Sequence, residues 1–308
     1  MRRLPPALQS ARGSACMQNH EITKSRNHQM FLALTRSVAA SIQDCELTHL
    51  AREPIDYARA VAEHDEYEAA LARLGCRVQR LPDAPELPDS VFVEDTAVVF
   101  DALAVIARPG AASRRPEVDA IAAALAPSRR LAFIEAPGTL DGGDVLVTPG
   151  RVFVGVSGRT NADGARQFAS HVAPLGYETI AVPVTGCLHL KSAVTLAFLP
   201  PDQPPPRLRR SAEALRAKAE GGSSVLVVNP DWVDVKYFDG FDLIEVDPSE
   251  PAAANVLRIG EHLICAAEHP RTRKRLDARG LQTVTVPAGE LAKAEGGVTC
   301  CSLILRFA

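Results

Sequence analysis

Near its C-terminus the chain reads Glu295-Gly-Gly-Val-Thr-Cys-Cys-Ser-Leu-Ile, which sets a cysteine at the end of a glycine-rich turn just before an apolar strand. A thiolate at that point would be a nucleophile. Three further polar clusters interrupt otherwise apolar sequence: Asp89-Ser-Val-Phe-Val-Glu-Asp95, Thr139-Leu-Asp-Gly-Gly-Asp144 and Leu188-His-Leu-Lys-Ser192. Carboxylates, one histidine and one thiol are the set needed for nucleophilic chemistry on a cationic substrate. A free thiol titrates at about 8.5, so Cys300 needs a cationic or hydrogen-bonding environment to ionise near neutral pH, and a bound guanidinium would itself supply one.

Each cluster also has a plain structural reading. Glu94 and Asp95 lie at the end of what reads as a short strand, flanked on both sides by Val91, Phe92, Val93, Ala97, Val98 and Val99, so water reaches them poorly. Unpaired buried carboxylates are costly, and these need a cation that is either an internal arginine or a ligand. Asp141-Gly-Gly-Asp144 is ordinary turn chemistry, although Gly142 and Gly143 would also let backbone approach a ligand. His189, between two leucines, reads either as a satisfied core histidine or as an acid/base group. Arg108, Arg114, Arg115 and Arg159 are surface arginines by default and gain a role only if the substrate carries a carboxylate for a bidentate fork.

The elements that must position these groups follow a repeating rhythm. Asp56 to Leu74 has apolar residues at helical spacing and stops at Gly75, followed by a strand from Cys76 to Leu81. A strand pair over Val98 to Ala107, a helix from Glu117 to Leu125 and a strand from Leu131 to Ile134 come next. Asp144 to Val147 and Val152 to Val156 form a hairpin across Pro149-Gly150, ahead of a helix at Ala162 to Val172 and a strand at Glu178 to Val182. Later strands are expected at 194–198, 225–228, 242–246, 256–259, 263–266 and 282–286, with a helix at 272–279. About five strand-rich units with interspersed helices suit radial repetition better than an open parallel sheet. Leu199-Pro-Pro-Asp-Gln-Pro-Pro-Pro206 and the charged stretch to Gly222 read as a surface insertion within a single catalytic domain spanning 29–308.

Composition narrows the class. With 308 residues, 46% of them hydrophobic, the chain can bury a full core, and no apolar run approaches a membrane span. A formal charge of −3 argues against nucleic acid as a partner, which requires a basic surface; the partner expected is a small molecule. Seven scattered cysteines without ligand spacing suggest neither a disulfide framework nor a structural zinc, and point to a reducing, cytoplasmic setting. Cys76, Cys187 and Cys265 read as small buried hydrophobes. Residues 1–28 carry five basic residues against Glu21 alone and no apolar periodicity, and are expected to be a disordered extension without the apolar core of a signal peptide.

Taken together, Asp89-Ser-Val-Phe-Val-Glu-Asp95, Ala107-Arg-Pro-Gly-Ala-Ala-Ser-Arg-Arg115, Thr139-Leu-Asp-Gly-Gly-Asp-Val145, Ser157-Gly-Arg-Thr-Asn161, Leu188-His-Leu-Lys-Ser192 and Gly297-Val-Thr-Cys-Cys301 closely resemble the dimethylargininases (dimethylarginine dimethylaminohydrolases). These are a branch of the guanidine-modifying enzymes that also include arginine deiminases, and the resemblance covers residues 31–308. It implies an α/β fold, a five-bladed α/β propeller of ββαβ-like units called the pentein fold, with the site in a central channel. By motif position Cys300 matches the nucleophile, His189 the general acid/base and Asp141 the acid that orients it. Position 141 is Asp where other members of the superfamily carry Glu, which shortens its reach by a methylene.

The same resemblance assigns Asp89, Glu94 and Asp95 to the substrate's guanidinium and amine, and Arg114 and Arg159 to its carboxylate. Backbone carbonyls of Leu47 and Ala294 would also contribute. The implied reaction takes Nω-methylated arginines to citrulline through a thiouronium intermediate, with no cofactor and no resident metal, although zinc could bind at Cys300 and inhibit. Cys301 is expected to face away from Cys300 because successive strand residues alternate. A monomer or homodimer is implied. The alternatives are deimination of free arginine and a non-catalytic protein that binds arginine-like ligands.

Overall fold

The computed structural model describes residues 31–200 and 223–306. The expected disordered extension at 1–28 and all but the first two residues of the expected insertion near 199–222 lie outside these residues.

The described strands form five three-stranded sheets of one topology, in which the first strand pairs antiparallel with the second and the third returns parallel along the second's other edge. One sheet draws on both chain ends: β1 (Phe31–Thr35) lies between β2 (Cys76–Arg80), parallel, and the C-terminal β15 (Leu303–Arg306), antiparallel. The others follow in order: β3 (Ala97–Val99), β4 (Leu103–Ile106) and β5 (Arg130–Phe133); β6 (Val145–Thr148), β7 (Arg151–Val156) and β8 (Glu178–Pro183); β9 (Val194–Phe198), β10 (Val225–Val228) and β11 (Asp242–Glu245); β12 (Leu257–Ile259), β13 (His262–Ala266) and β14 (Gln282–Val286).

Parallel neighbours require a crossover, and a helix supplies it in four sheets. These are α1 (Tyr57–Arg73), α2 (Val118–Leu125), α3 (Ala162–Val172) and, after the single-turn α4 (Leu190–Ala193), α5 (Pro270–Ala278). Between β10 and β11 the described residues hold only a 3-10 turn, Val235–Phe238. The helix ends follow local chemistry. The Asp56 side chain caps α1 by accepting from Arg59 N, and Gly75 leaves the helix at φ 89°, in open space. Asn161 caps α3 through Gly164 N, and Ala165, Phe168 and Val172 form its buried stripe.

Central strands β4 and β10 are buried at every position, which is why they read as unbroken apolar runs rather than as alternating patterns. A cavity of about 260 Å³ is lined by the first strand of all five sheets, through residues such as Val98, Val147, Leu196, Leu257 and Ile304, and Glu94, Lys191 and Thr299 also line it.

The expected elements occur with ends shifted by a few residues at most, and two local readings change. The acidic run after Phe92 forms a 3-10 turn, Val93–Thr96, rather than the end of a strand. Cys300 and Cys301 both lie in a turn before β15, so strand alternation does not set their directions.

Phe153 anchors the packing between β7 and the turn after β10: it is fully buried, with ring centroids 5.0 Å from Phe238 and 5.8 Å from Phe241. Phe153→Ala should destabilise the fold by about 3–5 kcal/mol, read as a lower urea midpoint at an unchanged slope.

Candidate active site

The polar residues converge because they share one position in the fold, the short turn that leads into a sheet's first strand. Glu94 and Asp95 lie in the 3-10 turn before β3, and Asp141 caps the turn Gly142–Asp144 before β6. His189 caps α4 before β9, and Cys300 ends the turn before β15. Asn255, after the turn Pro251–Ala254, holds the same place before β12.

His189 is almost wholly buried and sits between two carboxylates: Nε2 lies 3.0 Å from Asp141 Oδ2 and Nδ1 3.6 Å from Asp95 Oδ1. The shorter Asp141 therefore still reaches the imidazole. Gly110 N and the Thr160 hydroxyl fix Asp141, the first donating to its Oδ1 at 2.9 Å and the second accepting from its backbone amide at 3.1 Å. Burial acts to discharge the imidazole, but Asp95, the Asp141 hydrogen bond and Asp144 outweigh it and hold His189 up at about 9. Asp95 is kept well below the usual carboxylate range against its own burial, by His189 and by Arg114, whose Nη1 donates to Oδ2 at 2.7 Å.

The glycines serve this packing. A Cβ on Gly142 would stand 2.1 Å from the Glu94 carbonyl, and one on Gly143 would stand 2.6 Å from both Asp95 Oδ1 and His189 Nδ1. The close approach that the Gly-Gly pair permits is thus between the turns themselves.

Below Asp95 a closed hydrogen-bond ring ties four sheets together. Lys191 Nζ donates to Glu94 Oε1 at 2.5 Å, and Thr299 Oγ1 donates to Glu94 Oε2 at 2.6 Å. Asn255 Nδ2 donates to Thr299 Oγ1 and to the Lys191 carbonyl, while its Oδ1 accepts from Thr299 N at 3.0 Å. Cys300 hangs from this ring: Glu94 N donates to its carbonyl at 3.0 Å and Gly297 N to its sulfur at 3.3 Å. Burial, then Glu94 and Asp95, push the Cys300 thiol up to about 12, against the opposing pull of Gly297 N–H and Lys191. Cys301 lines a small separate cavity with Tyr67 and Leu291.

The rim is built from more distant sequence. Asp89, buried and raised by that burial, accepts from Glu46 N at 3.1 and 3.3 Å. Arg159 donates Nη2 to Thr48 Oγ1 at 3.1 Å, while its buried Nη1, 4.0 Å from Asp141 Oδ2, has no hydrogen-bond partner among the described residues. Arg114 is fully engaged beneath the rim, forked onto Glu117 at 3.1 and 2.9 Å, bonded to Asp95 and reaching the carbonyls of Asp89 and Phe92. Of the four arginines read as surface residues, Arg114 and Arg159 are buried, and Arg108 and Arg115 are half-buried and bond the carbonyls of Gly138 and Pro109. Leu47 is half-buried beside Thr48, and Ala294 is buried.

Lys191 and Asp144 stand inside motifs visible in the sequence, yet nothing local marks one as the partner of Glu94 or the other as the brace that accepts from Leu190 N and Ser157 Oγ at 2.9 and 2.7 Å. Burial lifts Asp144 to about 6 although His189 and Ser157 oppose the shift. Asp95, Asp141 and His189 place ligand-type atoms within 4.8 Å of one another, the donor set among the described residues that suits a divalent ion, and Cys300 stands outside it.

Comparison with solved structures defines the class first. The fold is that of arginine-derivative hydrolases: a Pseudomonas aeruginosa dimethylarginine dimethylaminohydrolase, solved as a cysteine-to-serine variant with citrulline, superposes with a TM-score of 0.77 at 33% identity over 90% of this chain and 100% of that one. The N-terminal domain of ArgZ, a cyanobacterial arginine dihydrolase, shares the fold at 15% identity, with a TM-score of 0.70 over 90% of this chain and 97% of that domain. The family model of eukaryotic N,N dimethylarginine dimethylhydrolases matches residues 35–193. A Streptomyces coelicolor relative named N(G),N(G)-dimethylarginine dimethylaminohydrolase is 38% identical over 278 residues, 89% of this chain and 96% of the relative. The chain belongs to the dimethylarginine dimethylaminohydrolase family.

His189 provides a direct check on the electrostatics. Its raised pKa means that the charged imidazolium favours the fold fully below about 6.5, the unfolded value, and that this contribution disappears as pH rises through about 9. Imidazole NMR should show His189 titrating near that upper value in the wild type and distinctly lower in Gly143→Ala, where the added methyl wedges Asp95 and the ring apart. An unshifted titration in the variant would contradict the assignment of Asp95 as the main charge on the ring.

Proposed function

We propose that this chain hydrolyses Nω-methylated arginines to citrulline and a methylamine, with Cys300 as nucleophile, His189 as acid and base, and Asp141 as the group that orients the ring. We further propose that the five sheets close into a five-bladed α/β propeller of the pentein type around the cavity that their first strands line. The observation that carries the functional reading is the run of contacts from Asp141 through His189 to Asp95, and from the adjoining Glu94 to Thr299 and Cys300, which joins the turns before four of the sheets. Relatives that bear the dimethylarginine dimethylaminohydrolase name at 38% and 33% identity support it.

The chemistry follows from the charges. In the free protein burial, reinforced by Glu94 and Asp95, keeps the thiol neutral, while the surrounding acids keep the imidazole charged. A guanidinium docked against Glu94 and Asp95 neutralises that field, and the thiol loses its proton to solvent. The thiolate attacks the guanidinium carbon, held in line by the carboxylates, to give a tetrahedral adduct. His189 protonates the methylated nitrogen, the carbon–nitrogen bond breaks, and the amine leaves behind an S-alkylthiouronium. Neutral His189 then takes a proton from water. The hydroxide adds to the thiouronium carbon, the carbon–sulfur bond breaks, and citrulline and the thiolate are released.

Arg159, whose Nη1 has no hydrogen-bond partner among the described residues, and Arg114 are the proposed partners of the substrate carboxylate; Arg114 would divide its guanidinium between the substrate and Asp95. Asp89 and the carbonyls of Leu47 and Ala294 hold the α-amine. No cofactor enters the scheme, and zinc enters only as a proposed inhibitor competing for the same groups.

Citrulline release from asymmetric dimethylarginine, monomethylarginine and arginine by wild type and Cys300→Ser tests the reading. The methylated substrates should be turned over preferentially by the wild type and not at all by the variant. Turnover of arginine alone would make the chain a deiminase, and ligand binding without any turnover would make it a binding protein.

A further inference from the structure

Glu295 has a backbone conformation that its residue type disfavours and a side chain with an unusual set of partners. It follows α6 (Gly289–Ala292) at φ 58°, the only non-glycine residue with positive φ among the described residues, in the left-handed position that glycine normally fills at a helix end. Its carboxylate accepts from three consecutive backbone amides across the site: Thr48 N at 3.0 and 3.2 Å, Leu50 N at 2.6 Å, and His49 N between them. The segment 48–50 is exposed and has no secondary structure of its own to hold it. Successive amides aimed at one carboxylate form an anion nest, here filled by the chain itself.

The location gives this contact its significance. Glu295 directly follows Ala294, and Thr48 directly follows Leu47, so the clamp joins the two backbone positions whose carbonyls are assigned to the substrate amine. The rim loop has three other anchors, Asp89 on Glu46 N, Arg159 on Thr48 Oγ1 and Ser113 on the Glu46 carboxylate, and the first two of those side chains are assigned to the substrate. Ser113 holds only the Glu46 side chain, so Glu295 is the anchor of the loop backbone that has no such assignment.

We propose that Glu295 is a positioning residue that clamps the rim loop at 46–50 onto the nucleophile turn and thereby sets the spacing of the Leu47 and Ala294 carbonyls. The kinetic part of this inference rests on the proposed hydrolysis of methylated arginines; the structural part does not. A carbonyl pair that binds the amine equally in ground and transition states contributes uniform binding, so losing its alignment raises KM and leaves kcat in place.

The test uses Glu295→Gln, Glu295→Gly and Glu295→Asp in the full chain, with amide hydrogen exchange and steady-state kinetics on asymmetric dimethylarginine. Exchange at Thr48, His49 and Leu50 should accelerate at least tenfold in the Gln and Gly variants and remain unchanged at β1. KM should rise at least tenfold with kcat within about twofold, and Glu295→Asp should recover part of both effects. Glu295→Gly separates the clamp from the turn, because it relieves the left-handed backbone. If that variant matches wild type in exchange and KM, Glu295 serves only its own turn and the proposal is overturned. If the wild type shows no turnover but exchange at 48–50 responds as stated, the clamp stands and the substrate reading fails; no change in exchange in any variant sinks the clamp regardless of activity.

Discussion

The site depends on one electrostatic arrangement, a histidine buried between Asp95 and Asp141 with each of those carboxylates secured from behind. A buried carboxylate without a partner is too costly to keep. Here Asp95 is held by Arg114 and the Gly143 amide, Asp141 by the Gly110 amide, and Glu94 by Lys191 and Thr299. Removing any one partner would leave charge stranded in a region that water barely enters. The excess of acid over base near the thiol, a liability for stability, is also what would make the pocket receptive to a guanidinium cation.

The fold delivers these groups by repetition of position rather than of sequence. Five sheets of the same topology each begin with a short turn, and the turns carry Glu94 and Asp95, Asp141, His189, Asn255 and Cys300 in order. Short turns at the ends of rigid strands position side chains more firmly than long loops do. The hydrogen-bond ring through Glu94, Thr299, Asn255 and Lys191 then couples four of the sheets directly beneath the thiol. The fifth sheet contributes Asp141 through the turn before β6, and the sheet that follows the nucleophile turn is completed by β15 pairing with β1.

Much of this was legible in the sequence where local physics decides structure. The helix at 57–73 is announced by its apolar spacing and by Gly75, and the hairpin of β6 and β7 by Pro149-Gly150 between β-branched runs. The polar motifs stood out because charge amid apolar sequence needs a reason. What stayed hidden depends on contacts between distant segments. Asn255 sits in an alanine-rich turn with no periodic signal, and its partners Lys191 and Thr299 are 64 and 44 residues away. The pairing of Glu94 with Lys191 spans 97 residues, and the left-handed backbone at Glu295 cannot be read from a residue type that normally avoids it. The acidic run at 93–96 reads as strand by composition, but its carboxylates are drawn into a 3-10 turn that aims them at His189 and Lys191.

The central claim is that burial and the acidic surroundings together keep Cys300 protonated until a guanidinium arrives. The most direct measurement is the ultraviolet thiolate absorbance of Cys300 against pH, taken as the difference between wild type and Cys300→Ser, with and without a saturating, unreactive alkylguanidinium. The account predicts no thiolate in the free protein at about pH 8.5, where an ordinary thiol is half ionised, since Cys300 is pushed up to about 12. It predicts that the thiolate appears at lower pH once the cation is bound. A thiol already ionised near neutral pH in the free protein, or one whose titration ignores the cation, would contradict it.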